Sequence, residues 1–106
     1  MFIARWQIDA RFGHKKEALE LMREWEREIG AKAGVDPERS SVVTGSIGAL
    51  EATIENNLMV ENLAELERLF EGIAAIPAHV EWGKKLEPHV VSGTSRWSIL
   101  RVVPMN

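Results

Sequence analysis

The sequence predicts an α+β domain in which one small β-sheet carries two helices on one of its faces. Three observations lead to this fold class. The patterns along the chain run strand, helix, strand, strand, helix, strand, and a chain of 106 residues forms a single domain. No segment remains to cover the second face of the sheet. We therefore expect a second copy of the chain to cover it and a ligand to lie between the two copies.

The first strand is predicted over residues 2–10, where apolar and mixed positions alternate with the period of a β-strand. The apolar set includes Trp6, and the mixed set carries Arg5, Gln7 and Asp9. If the Trp6 face packs on the helices, the three polar side chains point toward the cavity that a dimer would form.

The first helix is predicted from His14 to about Lys32, because apolar residues recur there at helical spacing. Gly34 and Pro37 end it, since proline cannot continue a helix. Trp25 falls in the apolar stripe, and we interpret it, like Trp6, as a packing residue.

Two strands are predicted over residues 40–47 and 51–60, joined around Gly48. The second helix begins at Asn62, whose side chain can accept from a backbone N–H while Glu65 reaches back. Its apolar stripe is predicted to contain five residues. These are Leu63, Leu66, Leu69, Phe70 and Ile73. Pro77 interrupts the helix, and a short amphipathic helix is expected over residues 78–87.

The last strand is predicted over residues 95–103 and is apolar on both faces. Such a strand must be covered on both sides, which is a second argument for a dimer. Arg101 shares a face with Trp97 and Ile99, so we expect a buried arginine with a partner, either Glu55 or a bound anion.

The composition excludes several classes of function. A net charge of −3 provides no basic excess, so no nucleic-acid partner is expected. The chain has no cysteine, and its three histidines lack the spacing of a zinc site. No apolar run has the length of a membrane span, and the first residues do not resemble a signal peptide. We therefore expect a cytoplasmic protein without a membrane partner.

Three stretches carry a resemblance to a known superfamily. They are Arg-Phe-Gly-His-Lys at 11–15, Met-Val-Glu-Asn-Leu-Ala-Glu-Leu-Glu at 59–67, and Trp-Gly-Lys-Lys-Leu at 82–86 with Gly-Thr-Ser-Arg-Trp at 93–97. The chain resembles the dimeric α+β barrel superfamily, and within it the NIPSNAP-type proteins and the antibiotic-biosynthesis monooxygenases. The resemblance implies a ferredoxin-like βαββαβ fold with a four-stranded antiparallel sheet. It also implies a homodimer whose two sheets form a barrel.

Members of this superfamily differ in activity. The resemblance therefore implies one of several: cofactor-free oxidation of quinol-like substrates, haem degradation, isomerisation or plain ligand binding. Haem-degrading members use an asparagine on the first strand, and this chain has Gln7 there. Those members also use a tryptophan and an axial histidine on or near the second helix. His79 and Trp82 lie in a comparable region of this chain, but in reversed order and with different spacing. Haem binding through His79 or His89 is therefore a third possibility, and no cofactor is predicted.

Two classes of function stay open. In the first, the protein is a cofactor-independent oxygenase or isomerase acting on a small, planar, partly apolar molecule. Asp9 or His79 would be the base, Arg5 and Gln7 would orient a substrate oxygen, and Trp82 would form an aromatic wall. In the second class, the same residues form a non-catalytic dimeric module that binds a metabolite or a partner.

Each candidate residue also has a structural interpretation. His79 follows Pro77 by two residues and His89 directly follows Pro88. Either histidine could act as a general base or a haem ligand, with His89 also a predicted substrate contact, or either could be a surface or second-shell histidine. Arg5 and Asp9 fit an ion pair as well as a site. Arg101 is a candidate for binding an anionic substrate group. The sequence alone does not distinguish these interpretations.

Overall fold

The sheet has four antiparallel strands, as the sequence predicts. The computed structural model describes all residues from 1 to 106. Strand β1 spans Phe2–Asp9, β2 spans Ser40–Thr44, β3 spans Thr53–Val60 and β4 spans Arg96–Arg101. Their spatial order is β2-β3-β1-β4, which places β1 and β3 in the centre. This order confirms the ferredoxin-like βαββαβ arrangement.

The predicted first helix is divided by a π-helical turn. Helix α1 spans Lys15–Trp25, the π turn spans Glu26–Gly30, and a short helix α2 spans Ala31–Ala33. Helix α3 spans Leu63–Ala74 and α4 spans Pro77–Leu86. A π turn is an insertion in an α-helix and often marks a functional region. It shifts the side chains that follow it relative to the simple helical period used in the prediction. No helix of this set is long and apolar enough to cross a membrane.

The start of α3 is capped in both directions. The Asn62 Oδ1 atom accepts from the Glu65 backbone N–H at 2.8 Å, as expected. The Glu65 carboxylate accepts from the backbone N–H of Glu61 at 2.8 Å, one residue before the position that a capping box would use. Both contacts are local, so the beginning of this helix is encoded by a few neighbouring residues.

The core lies between the helices and the face of the sheet that carries the even-numbered residues of β1. Ala4 of β1 and Ile54 and Val60 of β3 are fully buried, and Ile29 of the π turn packs with the same layer. The predicted stripe of α3 is only partly buried. Leu66 and Leu69 are buried, but Leu63 and Phe70 are exposed.

The opposite face of the sheet has no helix on it, and we call it the open face. Edge strand β4 is exposed along its whole length in the single chain. On the open face, β4 presents Leu100, which is 37% exposed although it is large and apolar. Trp97 and Ile99, opposite Trp6 and Ala4 of β1, lie on the other face and are 53% and 45% exposed. Only 15 of the 106 residues are buried, so one copy of the chain leaves much of its apolar surface in contact with water.

Candidate functional site

A cavity of ≈ 280 Å³ lies between the helices and the helix-covered face of the sheet. All four tryptophans of the chain line it. Trp6 comes from β1, Trp25 from the end of α1, Trp82 from α4 and Trp97 from β4. Aromatic faces stack on other planar rings, so this lining favours a flat, apolar ligand. We call this space the tryptophan cavity.

Trp82 is the centre of this aromatic wall. Its ring lies 6.4 Å from the ring of Trp6 and 6.4 Å from that of Trp25, with interplanar angles of 58° and 60°. Tilted pairs at this distance are a favourable arrangement of aromatic rings. The side chain is buried, and its indole N–H donates to the Leu21 carbonyl oxygen at 2.6 Å. Trp82 is therefore rigidly held, which suits a wall.

His79 is the imidazole that faces the tryptophan cavity. Its ring stacks on Trp82 with a centroid distance of 6.0 Å and an interplanar angle of 12°. The indole N–H of Trp25 donates to His79 Nδ1 at 3.3 Å. These two contacts orient the imidazole plane against the aromatic wall.

Asn56 is a lining residue that sequence reasoning missed. It lies in the middle of β3, directly opposite Trp6 on β1. Its amide makes no hydrogen bond to the chain and is available to a ligand. A polar residue between Ile54 and Leu58, on the apolar face of the strand, was the signal in the sequence.

The mouth of the cavity lies at β4 and α3. Trp97 packs edge-to-face on Phe70, with ring centroids 5.1 Å apart and an angle of 76°. Both rings line the cavity and both are partly open to water. Glu26, at the start of the π turn, is an exposed lining residue and adds a negative charge to the rim.

The structure places Arg5 and Gln7 on the open face, away from the tryptophan cavity. Arg5 Nε donates to Asn57 Oδ1 at 2.9 Å and lies 3.2 Å from Glu55 Oε1. Gln7 donates to Glu55 Oε2 at 2.7 Å and accepts from Arg96 Nε at 3.0 Å. These contacts join five side chains across three strands, and we call Asn57, Arg5, Glu55, Gln7 and Arg96 the polar row.

Asp9 also lies on the open face, at the end of β1. Its carboxylate accepts from the Thr53 hydroxyl at 2.9 Å, and its backbone N–H donates to Thr94 Oγ1 at 3.0 Å. The structure therefore does not bring Asp9 together with His79, because the two side chains lie on opposite sides of the sheet.

The two remaining candidates lie outside the cavity. His89 Nδ1 lies 3.0 Å from His14 Nδ1, so these imidazoles form a pair near the start of α1. The expectation of a buried Arg101 paired with Glu55 was wrong. Arg101 is exposed, its guanidinium lies 4.7 Å from the centre of the Phe2 ring, and Glu55 lies on the opposite face. At an exposed strand end, the guanidinium can form hydrogen bonds with water and pack on an aromatic face, so it needs no carboxylate partner.

Comparison with known proteins identifies relatives only through the fold. No family model matches the sequence, and no curated protein matches it. Among solved structures, a NIPSNAP-like domain protein from Burkholderia xenovorans is similar with a TM-score of 0.79 and 19% identity. The match covers 99% of this chain and 87% of that one.

Two further structures with this fold have names that refer to oxidation chemistry. SnoaB from Streptomyces nogalater, a cofactor-independent oxygenase, matches with a TM-score of 0.69 and 10% identity over 98% of this chain and 94% of its own. An antibiotic biosynthesis monooxygenase matches with a TM-score of 0.64 and 11% identity over 98% and 100%. The chain therefore has the ferredoxin-like α+β fold that NIPSNAP-like and monooxygenase-like structures share.

Proposed function

We propose that this protein binds a small, planar, partly apolar molecule in the tryptophan cavity. The observation that carries the proposal is the convergence of all four tryptophans on one space, with Asn56 and His79 as polar groups in its lining. Ligand sites combine apolar and aromatic walls with a few polar groups that orient the ligand. The arrangement of the lining residues matches that description.

The size of the cavity restricts the ligand. A volume of ≈ 280 Å³ lies just below the range of roughly 300–1,000 Å³ that is usual for ligand pockets. A flat molecule of one or two rings is therefore a better match than a large cofactor such as haem. One polar substituent on the ring would complement the amide of Asn56 or the imidazole of His79.

Naphthalene is a suitable first probe because it is planar, apolar and small. We expect its titration into ¹⁵N-labelled protein to shift the four indole N–H signals, which report directly on the cavity lining. Removal of one exposed aromatic wall by Trp97→Ala should weaken binding by about 2- to 10-fold, the usual worth of an aromatic pair. Val80→Ala, an exposed change outside the lining, is the control. Indole signals that do not move at saturating naphthalene would overturn the proposal.

We also propose that the protein works as a homodimer whose two open faces pack on each other. The support is the open face itself, which carries the exposed Leu100 of β4 and the polar row. Arg5 and Arg96 bring two positive charges to this face, and Glu55 together with the nearby Asp9 brings two negative ones. A twofold interface brings identical patches together and needs such self-complementary charge. The tryptophan cavity is formed within one chain, so it does not depend on the dimer.

A cofactor-independent oxygenase or isomerase is the second candidate function. It is favoured by the fold shared with SnoaB and by an imidazole beside a cavity suited to flat rings. Cofactor-free oxidation needs an electron-rich substrate, a group for proton transfer and a pocket from which water is excluded. His79 and Asp9 are the two candidate catalytic groups.

Oxygen consumption with naphthalene-1,4-diol tests the second candidate. We expect a rate above the protein-free rate, and a loss of about 100-fold or more in His79→Ala, as for removal of a group that transfers a proton or stabilises charge on the substrate oxygen. Asp9→Asn is the matched comparison because Asp9 lies outside the tryptophan cavity. A loss of rate in Asp9→Asn instead would assign the chemistry to the open face. If the unmodified protein consumes oxygen no faster than the protein-free solution, the oxygenase candidate is contradicted and ligand binding remains as the proposed function.

A further inference from the structure

We infer that His79 presents its Nε2–H group to the bound molecule as a hydrogen-bond donor, and that Trp25 imposes this orientation of the proton. The inference rests on the proposed binding function and narrows the ligand class. The ligand would be a planar ring system that carries an acceptor oxygen, such as a carbonyl or an ionised hydroxyl, at its edge.

The proton on His79 follows from the chemistry of its partner. The indole nitrogen of tryptophan is a donor only, and it lies 3.3 Å from His79 Nδ1. Nδ1 must therefore offer a lone pair. A neutral imidazole carries one proton on one of its two nitrogens, so the proton is on Nε2. In this state His79 donates to a ligand oxygen instead of removing a proton from it.

The position of Trp25 depends on the π turn that follows it. A Cβ atom placed on Gly30 would lie 2.8 Å from Cζ3 of the Trp25 ring, closer than side chains approach in folded proteins. The backbone of Gly30 has φ of −57°, which any residue adopts. The glycine is therefore needed because it has no side chain. The Trp25 indole occupies the space where a Cβ atom would lie, and in that position it contacts His79.

The second nitrogen of His79 is left for the ligand. The ring plane is oriented by its stack on Trp82, and Nε2 makes no hydrogen bond to the chain, although the half-buried ring lines the tryptophan cavity. A donor held in place before the ligand arrives favours a molecule with an acceptor over one of the same shape without it. In the oxygenase candidate, the same group would stabilise negative charge on the substrate oxygen.

Long-range ¹H–¹⁵N NMR at pH 8, where a free imidazole is neutral, reads the tautomer directly. We expect the His79 proton on Nε2 in the unmodified protein. Trp25→Phe keeps an aromatic ring but removes the donor, so both tautomers should appear, and Gly30→Ala should have the same effect by displacing the indole. Trp97→Phe, at the mouth of the cavity, should leave the tautomer unchanged. A proton on Nδ1, or a tautomer that neither Trp25→Phe nor Gly30→Ala alters, would overturn the inference.

Calorimetric titration with naphthalene and 1,4-naphthoquinone tests the ligand class. These probes share a ring system, but only the quinone has acceptor oxygens. We expect the quinone to bind about 3- to 10-fold tighter, the usual worth of one hydrogen bond, and the preference to disappear in His79→Phe, which keeps the stack on Trp82. Failure of both probes to bind would contradict the proposed function. Equal binding of both probes would contradict only the role of His79 as a donor.

Discussion

Replacing Glu55 by alanine is expected to convert a dimer of 2 × 11.9 = 23.8 kDa into a monomer of 11.9 kDa in native mass spectrometry. Glu55 is the acceptor at the centre of the polar row, where it takes the Gln7 amide and the Arg5 guanidinium. If a second copy covers the open face, the change leaves the charge of Arg5 buried without a carboxylate in each chain, since its remaining partner Asn57 is neutral. Breaking a buried pair in this way costs about 3–5 kcal/mol.

The size of the loss in dimer stability is informative, because an Arg5–Glu55 ion pair that is exposed to water contributes little to stability. In one chain the side chains of Arg5 and Glu55 are 33% and 24% exposed. An ion pair that stays accessible to solvent contributes only about 0–1 kcal/mol. A loss of several kcal/mol from the dimer would therefore show that the open face is covered.

Glu81→Ala is the matched control for this experiment. Glu81 pairs with Lys84 at 3.3 Å on α4, and both side chains are more than two thirds exposed. The control should leave the 23.8 kDa species unchanged, since it removes an exposed pair of the same chemical type. An unmodified protein that appears only at 11.9 kDa, or a Glu55 variant that dimerises normally, would refute the proposed interface.

Trp82→Ala is expected to lower the free energy of unfolding of the protein by about 3–5 kcal/mol, as is usual for removal of a large buried aromatic side chain. Trp82 is 7% exposed and contacts the rings of Trp6, Trp25 and His79. Its removal joins new space to the tryptophan cavity and leaves these rings without their central neighbour. Urea denaturation followed by circular dichroism would measure the change.

Two further variants separate the ring of Trp82 from its N–H group. Trp82→Phe keeps most of the packing but removes the donor to the Leu21 carbonyl oxygen, so we expect a loss of about 1 kcal/mol, the net worth of a hydrogen bond. Val80→Ala, on the exposed side of the same helix, should change stability by less than about 0.5 kcal/mol. A loss below about 1 kcal/mol in Trp82→Ala would mean that Trp82 does not hold the wall together.

The parts of the fold that depend on neighbouring residues could be predicted from the sequence. Alternation along β1 predicted which side chains share a face. In the structure the even-numbered residues of β1 face the helices, and the odd-numbered ones lie on the open face. Asn62 and Pro77 marked helix boundaries because capping and the missing proline N–H act within one turn. The resemblance to NIPSNAP-type and monooxygenase-like proteins added the ferredoxin-like fold with one four-stranded antiparallel sheet, which the structure confirms.

The candidate site could be predicted only in part, because its residues come from separate elements. His79 and Trp82 were predicted as site residues, and they line one cavity. Asn56 was missed, and Trp6 and Trp25 were assigned to packing. An apolar residue that faces the helices has the same pattern in the sequence whether the space beside it is filled or open.

The sequence by itself therefore determined the order of the elements, the two faces of the first and last strands, and the presence of apolar surface that one chain leaves exposed. Those features follow from periodicity, caps and composition, which are properties of short segments. Only the tertiary structure decided that four tryptophans line one cavity, that the Trp25 indole lies against Gly30 and contacts His79, and that Asp9 lies on the other side of the sheet from His79. The physical reason is that a cavity is the space left between packed elements, and its shape depends on how distant segments approach each other.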